Sequence, residues 1–141
     1  MPLRMPEPDG AILQRRERIV SKLRTIVPGE GVIAAERELR PYECDGLTAY
    51  RQLPMVVVLP ETTEQVADVL RYCHGEGVKV VPRGAGTSLS GGALPLADGV
   101  LLGMAKFNRI REIDFDNRIA VVEPGVTNLA VSDAVADAGF Y

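Results

Sequence analysis

Three stretches of the chain carry runs of apolar, mostly β-branched residues, the pattern typical of short strands that are buried on both faces. Met55–Leu59, between Pro54 and Pro60, is the clearest of them, and Val78–Val81 and Gly99–Met104 follow. Between the first two runs, apolar residues recur at helical spacing: Val66, Val69, Leu70 and Cys73. The order strand, helix, strand predicts parallel strands joined by a right-handed crossover.

The helix between these strands has recognisable ends. Thr62 is placed to cap its amino terminus, and Gln65, three residues later, completes a capping box. Gly75 and Gly77 predict its carboxyl end. His74, the single histidine of the chain, falls in the last turn, where we expect an exposed side chain and not a ligand or a catalytic base.

Before the first strand, the pattern is helical and then irregular. Residues 10–27 place most of their apolar positions on one helical face and are stopped by Pro28. Residues 31–53 have no clean period and predict irregular chain with room for one turn of helix, and a turn at Asp45-Gly46.

After the third apolar run, residues 109–115 and 118–123 predict two strands joined by a tight hairpin at Asp116-Asn117. In the first of these strands, Ile110, Ile113 and Phe115 do not follow the regular alternation of a strand. Thr127 is a suitable amino-terminal cap for a last helix, which is predicted to run to Ala138.

Residues 82–93, with the sequence PRGAGTSLSGGA, form a glycine-rich loop directly after the second apolar run. Glycines reach positive φ without a Cβ clash and let a ligand approach the backbone; those of the loop are Gly84, Gly86, Gly91 and Gly92. Successive backbone N–H groups can form a nest for an anion, above all a phosphate, and we expect Arg83 to add a positive charge at its rim. The loop leaves the carboxyl end of a strand, where open α/β sheets bind ligands.

The loop matches neither of the two common phosphate motifs. No Gly-Lys-Ser/Thr follows it, which excludes a Walker A loop, and Leu89 stands where a Rossmann fingerprint has its third glycine. From these residues alone, two interpretations stay open: a phosphate-binding loop, and a glycine-rich surface turn without a ligand.

Composition and charge argue against nucleic-acid binding, membrane insertion and a metal site. The formal net charge is −3 over 141 residues, which gives no electrostatic basis for binding nucleic acid or an anionic membrane. No apolar run approaches the about 20 residues of a membrane span, and the first residues do not resemble a secretory signal, so we expect a cytoplasmic protein. Cys44 and Cys73 lack the spacing of a metal motif, and we expect no metal site.

The loop resembles the pyrophosphate loop of FAD-linked oxidases of the p-cresol methylhydroxylase (PCMH) and vanillyl-alcohol oxidase type. Within that family the chain is most similar to the group that contains D-lactate dehydrogenases and the flavoprotein subunit of bacterial glycolate oxidase. The similarity extends to Tyr42–Val66 (YECDGLTAYRQLPMVVVLPETTEQV) and to Val121–Val126 (VVEPGV), in order along the last two thirds of the chain.

The resemblance implies an α+β (α/β) fold, the N-terminal part of a PCMH-type FAD-binding domain. In such a fold, a small parallel βαβ sheet with flanking helices is followed by a β-hairpin and a helix. Residues 1–53 are then a lead-in of helix and irregular chain. Residues 54–141 are the first part of the FAD-binding domain, which we expect to stop before its second half.

FAD is the cofactor that the resemblance implies, with its pyrophosphate on the loop and a Pro-Gly turn along the cofactor. The implied cofactor-binding residues are Pro82, Arg83, Gly84, Ala85, Gly86, Thr87, Ser88, Gly91, Gly92, Ala93, Pro124 and Gly125. Family members that attach FAD covalently often carry a histidine in this loop. Thr87 stands at that position here and cannot form the bond, so we expect non-covalent FAD.

The implied activity is that of an oxidoreductase in which hydride passes from a 2-hydroxy acid, glycolate or D-lactate, to flavin N5. The chain shows no credible catalytic base, and we expect an N-terminal portion that is inactive by itself. The implied partners are the substrate and the iron–sulfur and second flavin-type subunits of a glycolate oxidase complex, which could place the protein at the inner membrane. Two alternatives stay open: a non-catalytic α/β phosphate-binding module, and another reaction of the superfamily, such as enolpyruvyl reduction or alkyl-glycerone-phosphate synthesis.

Overall fold

The computed structural model describes residues 5–141, which contain five α-helices and six strands. The helices are α1 (Gly10–Gln14), α2 (Arg16–Ile26), α3 (Glu36–Leu39), α4 (Thr63–Glu76) and α5 (Asn128–Val135). The strands are β1 (Val32–Ile33), β2 (Val56–Val58), β3 (Lys79–Arg83), β4 (Gly99–Gly103), β5 (Ile110–Asp114) and β6 (Ile119–Val122). Single 3₁₀ turns at Arg40–Tyr42 and Ala136–Ala138 extend α3 and α5.

The main sheet has the strand order β1-β2-β4-β3. Strands β2, β4 and β3 are parallel, as predicted, but β4 lies between the two strands that the crossover helix connects. Strand β1 was not predicted. It consists of Val32 and Ile33, which pair antiparallel with Val58 and Val57, so a tertiary contact and not a local pattern makes it a strand.

The runs of apolar residues in β2 and β4 are explained by burial on both faces of the sheet. Val56 and Val58 of β2 face α2 and α4, and pack in a cluster with Leu23 and Val69. The alternate residue Val57 faces the other way, into a second cluster with Leu39 and Leu101. Because successive side chains of a strand point to opposite faces, the residues of β2 contribute to a hydrophobic cluster on each face of the sheet.

Helix α4 has the ends that the sequence predicts. The Thr62 hydroxyl accepts a hydrogen bond from the Gln65 amide at 3.2 Å, and Gly77 ends the helix at φ +67°. The Gln65 side chain, however, accepts from the Glu61 amide at 2.8 Å and not from Thr62. The apolar face is narrower than predicted, because Leu70 is 45% exposed. His74 is exposed in the last turn.

Where one helix was predicted over residues 10–27, the structure has α1 and α2, which meet at Arg15. Its backbone leaves helical geometry (φ −94°, ψ 5°), and its guanidinium reaches the Glu76 carboxylate at the end of α4. Arg18 binds the same carboxylate at 2.6 Å. These contacts fix the amino-terminal helices on the crossover helix.

Strands β5 and β6 form the predicted hairpin, which is a separate two-stranded sheet. Ile110 pairs with Val122 while Glu112 pairs with Val121, so Arg111 is an extra residue in a β-bulge. Because of the extra residue, Ile110 and Ile113 lie on the same face of the hairpin. The bulge thus explains why these apolar residues are three positions apart in the sequence and not two or four.

The hairpin and α5 bury little. Thr127 caps α5 as predicted, accepting from the Ala130 amide at 3.1 Å, but no residue of this helix is buried. Large apolar side chains stay exposed there: Phe115, Ile119, Val121, Val122 and Leu129. In residues 5–141, no helix has the length and apolarity that a membrane crossing requires.

Candidate phosphate-binding site

The glycine-rich loop surrounds an open hollow at the carboxyl end of β3. The volume of the hollow is about 330 Å³, and it is lined by Pro82, Arg83, Gly84, Ala85, Gly86, Thr87, Ser88, Gly92 and Ala93. Strand β4 ends beside it, where the Met104 amide donates to the Arg83 carbonyl at 2.9 Å. The structure therefore brings nine of the twelve predicted residues together, at the sheet edge where open α/β folds bind ligands.

The backbone amides of the loop have no protein acceptor. Within residues 5–141, none of the N–H groups of residues 84–93 donates a hydrogen bond. Backbone N–H groups are strong donors, and those of an exposed loop without a protein acceptor are free to bind water or a ligand. A run of unpaired donors along one concave loop is the arrangement that binds an anion with several acceptor oxygens.

The glycines serve two different purposes in the loop. Gly86 and Gly91 have φ of +74° and +80°, in the left-handed region, and so provide the bends. A Cβ on Gly92 would meet nothing within 4 Å, and one on Gly84 would meet only the Pro124 carbonyl, at 3.9 Å. Side chains at these two positions would fill space that the glycines leave open to a ligand.

The position of Arg83 corrects the expectation of a charge at the rim. Its side chain is only 7% exposed and points away from solvent. Its Nη1 donates to the Tyr42 carbonyl at 2.9 Å, and Nη2 donates to the Cys44 carbonyl. The guanidinium lies against Gly86, where a Cβ would stand 2.4 Å from Arg83 Nε. Arg83 is therefore below the loop and not at its edge.

The segment of residues 42–47 packs on the loop, a contact that the sequence did not predict. The Gly46 amide donates to the Ser88 carbonyl at 3.0 Å. The predicted turn at Asp45-Gly46 is present, with Asp45 Oδ1 accepting from the Leu47 amide at 3.0 Å. Residues 42–47 have no periodic pattern and one glycine, so the sequence gives no signal for this contact.

Pro124 and Gly125 occupy the far side of the site but differ in role. The Pro124 carbonyl borders the loop at Gly84, although Pro124 does not line the hollow. Gly125 instead packs against strand-end backbone: its amide donates to the Phe107 carbonyl at 2.7 Å, and a Cβ would stand 2.4 Å from the Met104 carbonyl oxygen. Gly125 holds the turn in place and does not face the hollow.

Glu123 fixes this turn through an ionic cluster that the sequence also did not predict. Its carboxylate accepts from the amide, Nε and Nη2 of Arg109 and from Nη2 of Arg111, at 2.8–3.1 Å. These hydrogen bonds, led by that of the Arg109 side chain, lower the pKa of Glu123 from 4.5 to about 2. The bulge that contains Arg111 brings its side chain to the cluster, an arrangement that hydrophobic patterns cannot reveal.

The donor set suits a phosphate or pyrophosphate and gives no sign of a metal ion. Among the described residues, no group of three or more His, Cys, Asp or Glu side chains is arranged to hold one. The site instead offers free amides, bare glycine Cα atoms and a buried guanidinium beneath them. The pyrophosphate of a dinucleotide such as FAD matches this set, because it needs many donors and close backbone approach.

Known proteins resemble the chain over almost its whole length. The family described as "FAD binding domain" matches residues 54–141. Glycolate oxidase subunit GlcD of Escherichia coli (strain K12) is 52% identical over 134 residues, which are 94% of this chain and 27% of GlcD. Mitochondrial D-2-hydroxyglutarate dehydrogenase of Bos taurus is 34% identical over 121 residues, 86% of this chain and 22% of the relative. The chain thus spans about a quarter of the length of these relatives.

Solved structures show the same fold. 4-Ethylphenol oxidase from Gulosibacter chungangensis superposes with a TM-score of 0.79 at 26% identity, over 97% of this chain and 27% of the oxidase. p-Cresol methylhydroxylase superposes with a TM-score of 0.75 at 23% identity, over 96% of this chain and 27% of its own, a likeness of fold alone. The predicted fold class is confirmed, and the chain belongs to the FAD binding domain family, with the architecture of the p-cresol methylhydroxylase type.

Proposed function

We propose that the chain binds FAD non-covalently, with the pyrophosphate in the hollow at the carboxyl end of β3. The run of unpaired amides over residues 84–93 is the observation that carries this proposal. The residues assigned to the cofactor are those of the loop, together with Pro124 and Gly125 on the far side of the hollow: Pro82, Arg83, Gly84, Ala85, Gly86, Thr87, Ser88, Gly91, Gly92 and Ala93.

These residues divide into three roles. The amides of the loop donate to phosphate oxygens, and the bare Cα atoms of Gly84 and Gly92 allow those oxygens to approach. Arg83 acts from beneath the loop, as a charge that favours an anion above it without touching solvent. The Pro124 carbonyl borders the loop at Gly84, and Gly125 holds this turn against the segment that follows β4.

Two observations support non-covalent attachment. Thr87, which stands where covalent family members often carry histidine, has a hydroxyl that cannot form a histidyl bond. His74 lies in the last turn of α4, directly before β3 begins, whereas the loop follows the end of that strand. The five residues of β3 span about 16 Å. His74 is therefore near the amino end of β3, whereas the loop is at its carboxyl end.

For the whole protein we propose oxidation of a small 2-hydroxy acid, on the basis of the similarity to glycolate oxidase and D-2-hydroxyglutarate dehydrogenase. Bound FAD would supply the electron sink, taking a hydride from the substrate Cα while a base takes the hydroxyl proton. Glu123 does not suit the role of that base, because its carboxylate is occupied by two arginines and its pKa is about 2. The GlcD relative is one subunit of its oxidase, and we propose a comparable assembly with further subunits here.

A titration of FAD into the purified protein, followed by flavin fluorescence, tests the cofactor site. Gly84→Val should abolish binding, because its side chain enters the hollow where only the Pro124 carbonyl lies within 4 Å. Gly75→Ala is the matched control, since a Cβ there meets nothing within 4 Å in an exposed helical turn. Circular dichroism of each variant confirms that the protein is folded before it is titrated.

The possible outcomes separate the alternatives. Competition by ADP but not by riboflavin would place the pyrophosphate at the loop. Folded protein that binds no FAD up to high micromolar concentration, or binding that Gly84→Val leaves unchanged, would contradict the proposal. Anaerobic addition of glycolate, D-lactate or D-2-hydroxyglutarate to the FAD-loaded whole protein, of the length of its relatives, then tests the activity. Bleaching of the oxidised flavin absorbance supports the activity, and an unchanged spectrum with all three acids counts against it.

A further inference from the structure

Residues 42–47, which we call the bracing segment, are attached to the glycine loop at three points. Arg83 donates from Nη1 to the Tyr42 carbonyl and from Nη2 to the Cys44 carbonyl. Gly46 donates from its amide to the Ser88 carbonyl. The first two contacts bind the segment at the start of the loop, and the third binds it near the middle. They join stretches that are about 40 residues apart in sequence.

The contact at Gly46 leaves no room for a side chain. A Cβ there would stand 2.6 Å from the carbonyl oxygen of Thr87 and 2.9 Å from its carbonyl carbon. Both atoms belong to the backbone and cannot rotate away, unlike the end of a flexible side chain. The segment is therefore in direct backbone contact with the part of the loop whose amides are unpaired.

Arg83, which binds the same segment, also supports the bend of the loop at Gly86. Its guanidinium fills the space where a Cβ of Gly86 would be, and Gly86 is one of the two positive-φ positions that bend the loop. The acceptors of Arg83 are neutral carbonyls: none of the ion pairs among the described residues includes Arg83, and its buried Nε has no partner. A buried guanidinium without a counter-ion is unfavourable unless other interactions compensate it.

We propose that Arg83 and Gly46 are positioning residues that hold the glycine loop in its open, concave form before any ligand arrives. The bracing segment supplies the rigidity that unpaired amides cannot supply for themselves, and an anion in the hollow supplies the missing compensation for the Arg83 charge. The consequence for FAD affinity rests on the proposed function, whereas the ordering of the loop does not.

The fast motion of the loop amides, measured by ¹⁵N relaxation in the protein without FAD, tests this assignment directly. We expect order parameters of about 0.85 over residues 84–92, as in rigid backbone, and a fall below about 0.6 in Gly46→Ala and in Arg83→Lys. Lysine keeps the positive charge but cannot bridge two carbonyls, so it separates positioning from charge. Gly75→Ala should leave the loop unchanged.

FAD titration of the same variants provides the second measurement. A loop that is ordered a tenth of the time should weaken FAD binding about tenfold in both variants. Amide order parameters of β2 and β4 that stay at the wild-type value show that the effect is confined to the loop. If both variants keep a rigid loop, or Arg83→Lys keeps full FAD affinity, the positioning roles are refuted. If the loop loosens but even the wild-type protein does not bind FAD, the bracing stands and the proposed cofactor fails.

Discussion

Replacement of Gly125 by alanine should destabilise the protein strongly, although it adds a single methyl group. Gly125 is in the turn after β6, where three backbone carbonyls converge on its Cα. An added Cβ would stand 2.4 Å from the oxygen of Met104, 2.7 Å from that of Phe107 and 3.2 Å from that of Ala105. Since backbone oxygens cannot rotate away as a side chain does, the turn itself has to move.

The size of the effect follows from what that movement breaks. Overpacking by one methyl group in a close-packed site costs about 1–3 kcal/mol. Movement of the turn also breaks the hydrogen bond from the Gly125 amide to the Phe107 carbonyl, which is 2.7 Å long and contributes about 0.5–1.5 kcal/mol. We therefore expect the free energy of unfolding to fall by about 2–4 kcal/mol, a large part of the about 5–15 kcal/mol that stabilises a typical domain.

Urea unfolding followed by circular dichroism measures this loss. With a slope of about 2 kcal/mol per molar urea, the midpoint should fall by about 1–2 M. Gly75→Ala is the control: it adds the same methyl group in a helix with open space, and should raise stability by about 0.5–1 kcal/mol. A Gly125→Ala midpoint equal to the wild-type value would refute the close approach of the turn to the ends of the strands.

Three further measurements test separate parts of the structure. Because the folded pKa of Glu123 is about 2 and its ordinary value is 4.5, its carboxylate stabilises the fold above pH 4.5, and this contribution is lost as the pH falls toward 2. Glu123→Gln should therefore lower the urea midpoint at neutral pH, and the gap from wild type should shrink on acidification; a constant gap would contradict the ionic cluster. Burial raises the pKa of Cys73 to about 11, whereas Cys44 is half-buried, so mass spectrometry after iodoacetamide treatment should find Cys44 modified first. Thr62→Ala should cost about 1 kcal/mol in urea unfolding through loss of the α4 cap, while Thr63→Ala, which removes no cap bond, should cost less.

The parts of the fold that the sequence predicts are those set by local chemistry. β2 can be read from its apolar run between prolines, and α4 from Thr62 and Gly77, because burial on both faces and helix capping act over a few residues. The order of the strands cannot be read in this way. β4 pairs with both β2 and β3 only after the chain has folded back, and β1 exists only because Val58 offers it a partner.

At the site, the loop could likewise be predicted from local sequence, whereas the residues that contact and support it could not. The glycines of residues 84–92 and the strand before them predict a cradle at a sheet edge, and the hollow lies there. The direction of the Arg83 side chain depends on the Tyr42 and Cys44 carbonyls, which belong to a segment with no periodic pattern. From the sequence, Glu123 is an ordinary carboxylate at the end of a strand. In the structure, the bulge at Arg111 places a second arginine beside it.

Glycine content alone could not decide between a ligand-free turn and a phosphate cradle, and the structure provides two observations that bear on it together. A single turn often lacks its own hydrogen bond, but residues 84–93 are longer than one turn, and none of their amides finds an acceptor among the described residues. A buried arginine normally has a counter-ion, whereas Arg83, directly beneath that loop, has only carbonyls. We therefore propose that an anionic group such as a pyrophosphate, and not a turn without a ligand, accounts for the free amides of this loop.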